Sequence, residues 1–529
     1  MRWLFVVLVF VAVACSGFTQ KNLGDLGEPC FENGKCNGDL VCVDKVCVEA
    51  AADTDTVTDG ADVTDLSDSS DSSEDTDEPV GDDVVVSDED KFECNNSCVM
   101  KGDKDCTNGQ IRTCVVDDHN CLAWGSYADC PFSECESATR CKDTVIVQWG
   151  TQEIDLAHSL IVDKEGNAYV TGYTTGALSE KPNAGGEDAF LTKIDNKGNI
   201  LWTKQWGTST SGAGNFITSS STGDIYVTGY SGDDAFLTKW TGDGEKKWEI
   251  NWGTPEQDYA FGAVVGEKGN IYVTGFTAGS LEGNTNSGLR DIFLSKFKSD
   301  GTKVWSKQWG TSSDDTGYDL AYDAIGDFVY LSGHSWGGLN GQSNYGQKDN
   351  ILMKIDTDGI LVWTRQWGTD ASDYASGIAL DSAGNIYVVG QTEGALDGNM
   401  NFGGNDIFLT KFSSEGSKIW TKQWGTGDVD GGYFVSIAND DSIYITGSVS
   451  GSFWGNPSWG KRDLFLAKID SDSGEIVYSK QWGTDMAEQG HSVHFANGKV
   501  YITGVTGGNF GSTNQSQNVW DVFLLMYAE

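Results

Sequence analysis

The chain has 529 residues, with 68 Gly, only 6 Pro and a formal net charge of −43. So acidic a balance excludes nucleic acid as partner and disfavours anionic membrane surfaces, because both are gripped by Lys and Arg. The length allows several domains, and the glycine content suits many tight turns, so a large all-β protein is the first expectation.

Residues 1–14 have the pattern of a signal peptide: Arg2, an apolar run from Trp3 to Val13, and Ala12-Val13-Ala14 ahead of Cys15. That run is too short for a stable membrane span. The small residues before Cys15 resemble a bacterial lipobox, which implies that Cys15 carries the lipid as first residue of the mature chain. Plain cleavage at the same site is the alternative. Removing Cys15 from the 13 Cys leaves an even 12, grouped four and eight, which favours the lipid anchor. Ser16 follows where inner-membrane lipoproteins often carry Asp, so the resemblance points to the outer membrane or cell surface.

After the anchored segment 15–29, residues 30–47 hold Cys30, Cys36, Cys42 and Cys47, a unit too small to fold without cross-links. Two disulfides are expected; zinc is disfavoured, because the cluster has no C-x-x-C pair and no nearby His. Residues 48–93 form an acidic spacer. Its stretch 51–90 alone has 16 Asp and Glu and no Lys or Arg, so self-repulsion is expected to keep it disordered. Residues 94–141 carry eight Cys and read as a second disulfide module; the pairing in both stays open.

From 142 to 529 the chain repeats itself. The phrase x-W-G-T recurs with Trp at 149, 206, 252, 309, 367, 424 and 482, and only the second interval is short. Each unit has four alternating runs, as in DYASGIALD, NIYVVGQT, DIFLTKF and KIWTKQWGT of the fifth, separated by Gly-containing turns. Period-two alternation of Tyr, Ile, Val, Phe and Trp means antiparallel strands. Such units in tandem predict propeller blades. The last unit ends after its third strand, DVFLLMY, while a lone fourth strand, VIVQWGT from Val145, precedes the first. These two are expected to pair and close a ring of seven blades.

The phrases D-x-F-L-x-K and I-Y-V-T-G resemble the bacterial seven-bladed beta-propeller repeat (SBBP repeat) proteins, exported lipoprotein type, across 145–529. The resemblance implies an all-β, seven-bladed β-propeller with N-to-C terminal strand closure, behind disulfide-rich modules and a disordered acidic linker. It implies nothing about activity, because propellers host unrelated functions.

With strands named A to D, antiparallel order puts the D-to-A links and B-to-C loops on one face and short turns on the other. The first face carries long loops such as GGLNGQSNYGQKD and GSFWGNPSWGKRD, and the second unit lacks one. Function is expected there. In the phrase WTKQWGT, Trp202 and Trp206 share one side of strand D, where they are expected to cover a seam between blades, with Gln205 on the other side.

Three groups are candidate site residues. A carboxylate opens strand A in six units, at Asp155, Asp258, Asp315, Asp373, Asp430 and Glu488, where a ring of acids could hold a cation such as Ca2+; capping of backbone N–H groups is the structural alternative. Three positions on, the residue varies between units, and His158 and His491 fall in neighbouring blades once the ring closes, as a metal-binding or proton-transferring pair or as packing. Loop aromatics Trp336, Tyr345, Phe402, Trp454 and Trp459 could stack on sugars or fill a partner's pockets. No H-E-x-x-H or P-loop appears, and no catalytic residue is assigned. The expectation is a monomeric propeller, lipid-anchored at the cell surface, that binds an extracellular or envelope protein or glycan. An exported hydrolase or lyase working in the central pocket is the alternative.

Overall fold

The computed structural model describes residues 144–179, 181–511 and 519–529, together with short backbone strands between Leu40 and Cys141. The signal peptide, Cys15, the acidic spacer and the cysteine side chains lie outside the described residues. Leu40–Val43 pairs with Val46–Glu49 as a hairpin. Further on, Gln110–Val116 pairs with Lys104–Thr107, Leu122–Trp124 and Ala128–Asp129.

The repeat region forms seven four-stranded antiparallel sheets, each in the order A-B-C-D. Blade 1 consists of Asp155–Val162, Ala168–Thr174, Asp188–Ile194 and Ile200–Trp206. Blades 2 to 6 occupy 212–252, 258–309, 315–367, 373–424 and 431–482. Blade 7 joins Glu488–Ala496, Lys499–Thr506 and Asp521–Ala528 to Thr144–Trp149, so its fourth strand comes from the other end of the repeat region. Phe523 lies opposite Gln148 and Leu525 opposite Ile146. Strand A of each blade packs on strand A of the next, all the way round, which puts the A strands on the axis.

Strand D seals the seams. Trp206 lies 4.9 Å from Trp240 and edge-on at 6.2 Å to Phe236, both in blade 2. Aromatic pairs in these geometries add roughly 0.5–1.5 kcal/mol to their area burial. Near the other end of the strand, Trp202 and Lys204 receive the blade 2 C-to-D turn, where Gly244 has φ +78° and an added Cβ would stand 2.9 Å from Lys204 Cε. The turn needs Gly for its backbone and for this contact. In the closing strand Val145 and Val147 take these places beneath Gly198, so the seam is closed by aliphatic contact instead.

Strand A carries a register shift in every blade, between Ala157 and Ser159 in blade 1 and at the matching places elsewhere. The bulged residue is His158, Asn215, Phe261, Tyr318, Ser376, Tyr433 or His491, the position whose identity varies between units. A bulge re-aims one side chain, and here Asn215 reaches the Ala260 carbonyl, His491 the Ala157 carbonyl and Phe261 the Tyr318 ring, each on strand A of the next blade. It also drives the strand A backbone against strand B: a Cβ on Gly172 would overlap the Leu156 carbonyl oxygen. That close approach explains the Gly of I-Y-V-T-G.

Candidate binding face

The long loops are held by the Gln of Q-W-G-T. Gln366 donates to the Gly337 carbonyl and to the Asp349 carboxylate, both at 2.8 Å, while its Oε1 accepts the Leu339 N–H at 3.0 Å. Gln148, Gln205, Gln308, Gln423 and Gln481 repeat the arrangement. Asp349 opens strand C and also accepts the Tyr345 N–H at 2.7 Å, so the carboxylate recurring before strand C is a cap on the loop's return. Blade 2, which has no long loop, has Asn251 in place of Gln.

The carboxylates that open strand A are buried, each at 0–1% exposure. Asp373 accepts the Thr369 N–H at 2.6 Å and its hydroxyl at 3.1 Å. Asp155, Asp258, Asp315, Asp430 and Glu488 hold Thr151, Thr254, Thr311, Thr426 and Thr484 in the same way. The Gly of W-G-T passes between two carboxylates at these seams: a Cβ on Gly368 would stand 2.8 Å from Asp373 Oδ2 and clash with Asp349 Oδ1. Burial pushes the Asp315 and Asp373 carboxyls up to about 6, and the neighbouring Asp291 and Asp349 add to the rise. The six acids therefore lie one to a seam, and no cluster of three or more metal-binding side chains occurs among the described residues.

His158 and His491 do meet, with ring centroids 6.2 Å apart. His491 Nδ1 donates to the Ala157 carbonyl at 2.7 Å. Burial, with His491 alongside, brings His158 down to about 4, so it is neutral at pH 7. Elsewhere Phe216 of blade 2 meets Phe434 of blade 6 across the ring of A strands, with ring centroids 6.1 Å apart. Trp336, Tyr345, Phe402, Trp454 and Trp459 are exposed on their loops.

A second variable ring escaped the sequence reading. The carbonyl of the residue just before strand C accepts the first N–H of strand A in the next blade, at all seven seams. This fixes the backbone of Glu187, Asp233, Arg290, Lys348, Asn405, Arg462 and Trp520, whose side chains differ in charge. Its sequence signal was the variable letter ahead of the recurrent D-x-F-L. Lys348 extends over Tyr374, 4.3 Å from the ring centroid, with Trp336 at 5.3 Å. Arg290 stands 4.3 Å over Phe276. Burial lowers Lys348 to about 8, against the opposing pull of Asp314 and Glu393, so it is still a cation at pH 7.

Beneath Lys348 the blade 4 sheet has a polar residue on both strand B and strand C, where blades 5 and 6 have one only, Gln391 and Ser448, opposite Ile407 and Leu464. His334 lies opposite Asn350 in register, 5.4 Å from Tyr318 and 5.6 Å from Tyr374. The other blades have Ala189, Ala235, Ile292, Ile407, Leu464 and Val522 at the place of Asn350. Asn350 is 0% and His334 4% exposed, and neither the Asn350 amide nor His334 Nδ1 has a hydrogen-bond partner. Burial, with Lys348 and Arg290 nearby, holds His334 well below the usual imidazole range and therefore neutral. Both side chains therefore keep unused hydrogen-bonding capacity beside Lys348.

Against the expectation that the chain has no G-x-S-x-G pattern of a hydrolase nucleophile, Gly333-His334-Ser335-Trp336-Gly337 spells one. Its Ser335 ends strand B at 0% exposure, with its one hydroxyl proton shared between the Asp315 carboxylate and the Gly337 carbonyl. That is the place of Thr174, Thr277, Thr392 and Thr506 in sister blades, and no strand-to-helix turn presents it.

Two stretches, 147–178 and 362–396, match the family SBBP, described as a Beta-propeller repeat. The propeller contains SBBP repeats at these two stretches. Each matched stretch of the SBBP repeat runs from strand D across the seam into strands A and B of the next blade and its loop. The chain is also 26% identical over 163 residues to the regulatory protein FlaEY of Caulobacter vibrioides, covering 28% of this chain and 17% of that protein's length. Similar solved structures include the Neurospora crassa Pan2 WD40 domain, 8% identical over 70% of this chain and 89% of that one, with a TM-score of 0.43. Kuenenia stuttgartiensis hydrazine synthase is 13% identical over 67% and 94%, at 0.44. The polysaccharide lyase Uly1 is 12% identical over 70% and 89%, at 0.42.

Proposed function

We propose that this SBBP propeller is a binding module, held at the cell surface by a lipid on Cys15, whose long-loop face takes an acidic glycan. The observation that carries the reading is Lys348 set between Trp336 and Tyr374 above the unpartnered pair His334 and Asn350. Aromatic faces suit the apolar side of a sugar ring, and an ammonium in a partly dry setting suits a carboxylate. Blades 1 and 2 have Glu187 and Asp233 at the place of Lys348, so an acidic ligand is steered toward blades 3 and 4. Such charge selection matters more on a chain of net charge −43, which repels acids elsewhere.

The test is an array of uronic-acid and neutral glycans probed with the full chain, with Ca2+ and with EDTA. Retention of acidic glycans that falls at least 10-fold in Lys348→Ala and in Trp336→Ala is the expected result. Equal binding by these variants refutes the site, and capture of envelope proteins in place of glycans refutes the ligand class. Mass spectrometry of the mature N-terminus is expected to show a lipid-modified Cys15, and an unmodified cysteine refutes the anchor.

A further inference from the structure

Six of the seven seams are plugged by an apolar side chain from a long loop. Leu281 of blade 3 packs with Trp252 of blade 2 and with Phe293, and Leu396 of blade 5 packs with Trp367 of blade 4 and with Phe408. Leu178, Leu339, Phe453 and Phe510 do the same against Trp149, Trp309, Trp424 and Trp482. Every plug presents its backbone N–H to a strand D Gln of its own blade. Trp206, at the seam between blades 1 and 2, has no such plug, because only Gly232 and Asp233 join strands B and C of blade 2.

The consequence is a cavity of about 80 Å3 against Trp206, walled by Ala189, Gly212, Tyr230 and Phe236 and rimmed by Lys246 and Glu249. It is well above the roughly 10–15 Å3 that one water needs. Two differences from the sister blades go with the missing loop. Gly212 stands where six blades open strand A with a carboxylate, and Asn251, exposed, replaces the Gln that elsewhere grips a loop. Lys246 is already paired with Glu249 at 2.6 Å, so the rim calls for an uncharged anchor.

We infer that this seam is a docking site for an extended segment of a partner protein that inserts a Leu or Phe where the blade 2 loop is missing. The occupant is defined by the six internal copies: an apolar residue among Gly, Ser and Asn, with its backbone N–H directed at the strand D amide. Asn251 is shorter than Gln, so a bound segment seats closer to strand D than the internal loops do. The site lies at a different seam from Lys348 and is independent of glycan binding.

The probe is a fluorescent peptide with the sequence of residues 278–288, AGSLEGNTNSG, titrated into the full chain and followed by polarisation. Burying the leucine is expected to make it bind about 10- to 100-fold tighter than the same peptide with Leu281→Ala. Grafting the blade 3 loop in place of Gly232-Asp233, with Asn251→Gln, supplies the missing plug and is expected to raise Tm and abolish binding together. As a second variant, Asn251→Ala, which removes only the strand D amide, is expected to weaken binding about 3- to 10-fold. Equal affinity for the two peptides, or unchanged binding by the grafted chain, overturns the inference. Self-association of the full chain that the graft abolishes assigns the slot to a second copy and overturns the partner assignment.

Discussion

Leu339 and Gln366 are 27 positions apart in the chain, yet the Leu339 N–H donates to Gln366 Oε1 at 3.0 Å while the leucine side chain enters the seam behind blade 3. One glutamine thus couples three things: the loop's backbone, the carboxylate that opens strand C, and the plug that seals the preceding blade.

Gln366→Ala is expected to destabilise the propeller by about 2–3 kcal/mol, since it removes a donor from a buried carboxylate as well as the loop's anchor. Asn251→Ala, at the same repeat position but exposed, is expected to stay within about 0.5 kcal/mol of wild type. Urea denaturation of the two variants checks the contrast, and equal effects would show that the glutamine has no special role.

Trp367→Ala is expected to cost about 3–5 kcal/mol, because the ring lies in a closed seam with Leu396 and Phe412. Trp206→Ala is expected to cost at least about 1 kcal/mol less, because its seam already holds a cavity. The order of the two denaturation midpoints decides the matter.

The seam carboxylates make stability depend on pH with a definite sign. Asp315 and Asp373 titrate near 6 in the folded chain against roughly 4 unfolded, so the folded state binds more protons between those values. Their contribution is complete below about pH 4 and is lost as pH rises toward 6. Buried His158 and His494, brought down to about 4 by burial, act oppositely and favour the fold as pH rises from 4 toward 6.5. Asp373→Asn separates the two effects: the stability of the variant minus that of wild type is expected to increase from pH 4 to 6. A difference that does not change with pH would contradict the assignment.

Deleting residues 144–149 leaves strand C of blade 7 without its outer neighbour and removes Trp149 from the last seam. A loss of more than about 4 kcal/mol is expected, with aggregation through the bare edge visible by size-exclusion chromatography. A monomeric chain of wild-type stability would mean that the ring does not depend on this closure.

The fold was legible in the sequence because its causes are local and repeated. Alternation marks each strand, the recurring W-G-T counts the blades, and a third strand without a fourth at one end, with an unmatched fourth at the other, announces the closure. WTKQWGT was legible as a seam strand for the same reason, since period two puts Trp202 and Trp206 on one side. Tertiary structure decided what no local pattern contains. It made Gln205 a clamp on a loop about 27 residues earlier, turned the variable strand A position into a bulge, and buried His334 opposite Asn350 under Lys348. It also turned a missing loop into a cavity, because the plug for one blade's tryptophan is supplied by the next blade. A repeat spells the same letters seven times, but only packing across seams gives each copy its own neighbours, and those neighbours make the differences between copies matter.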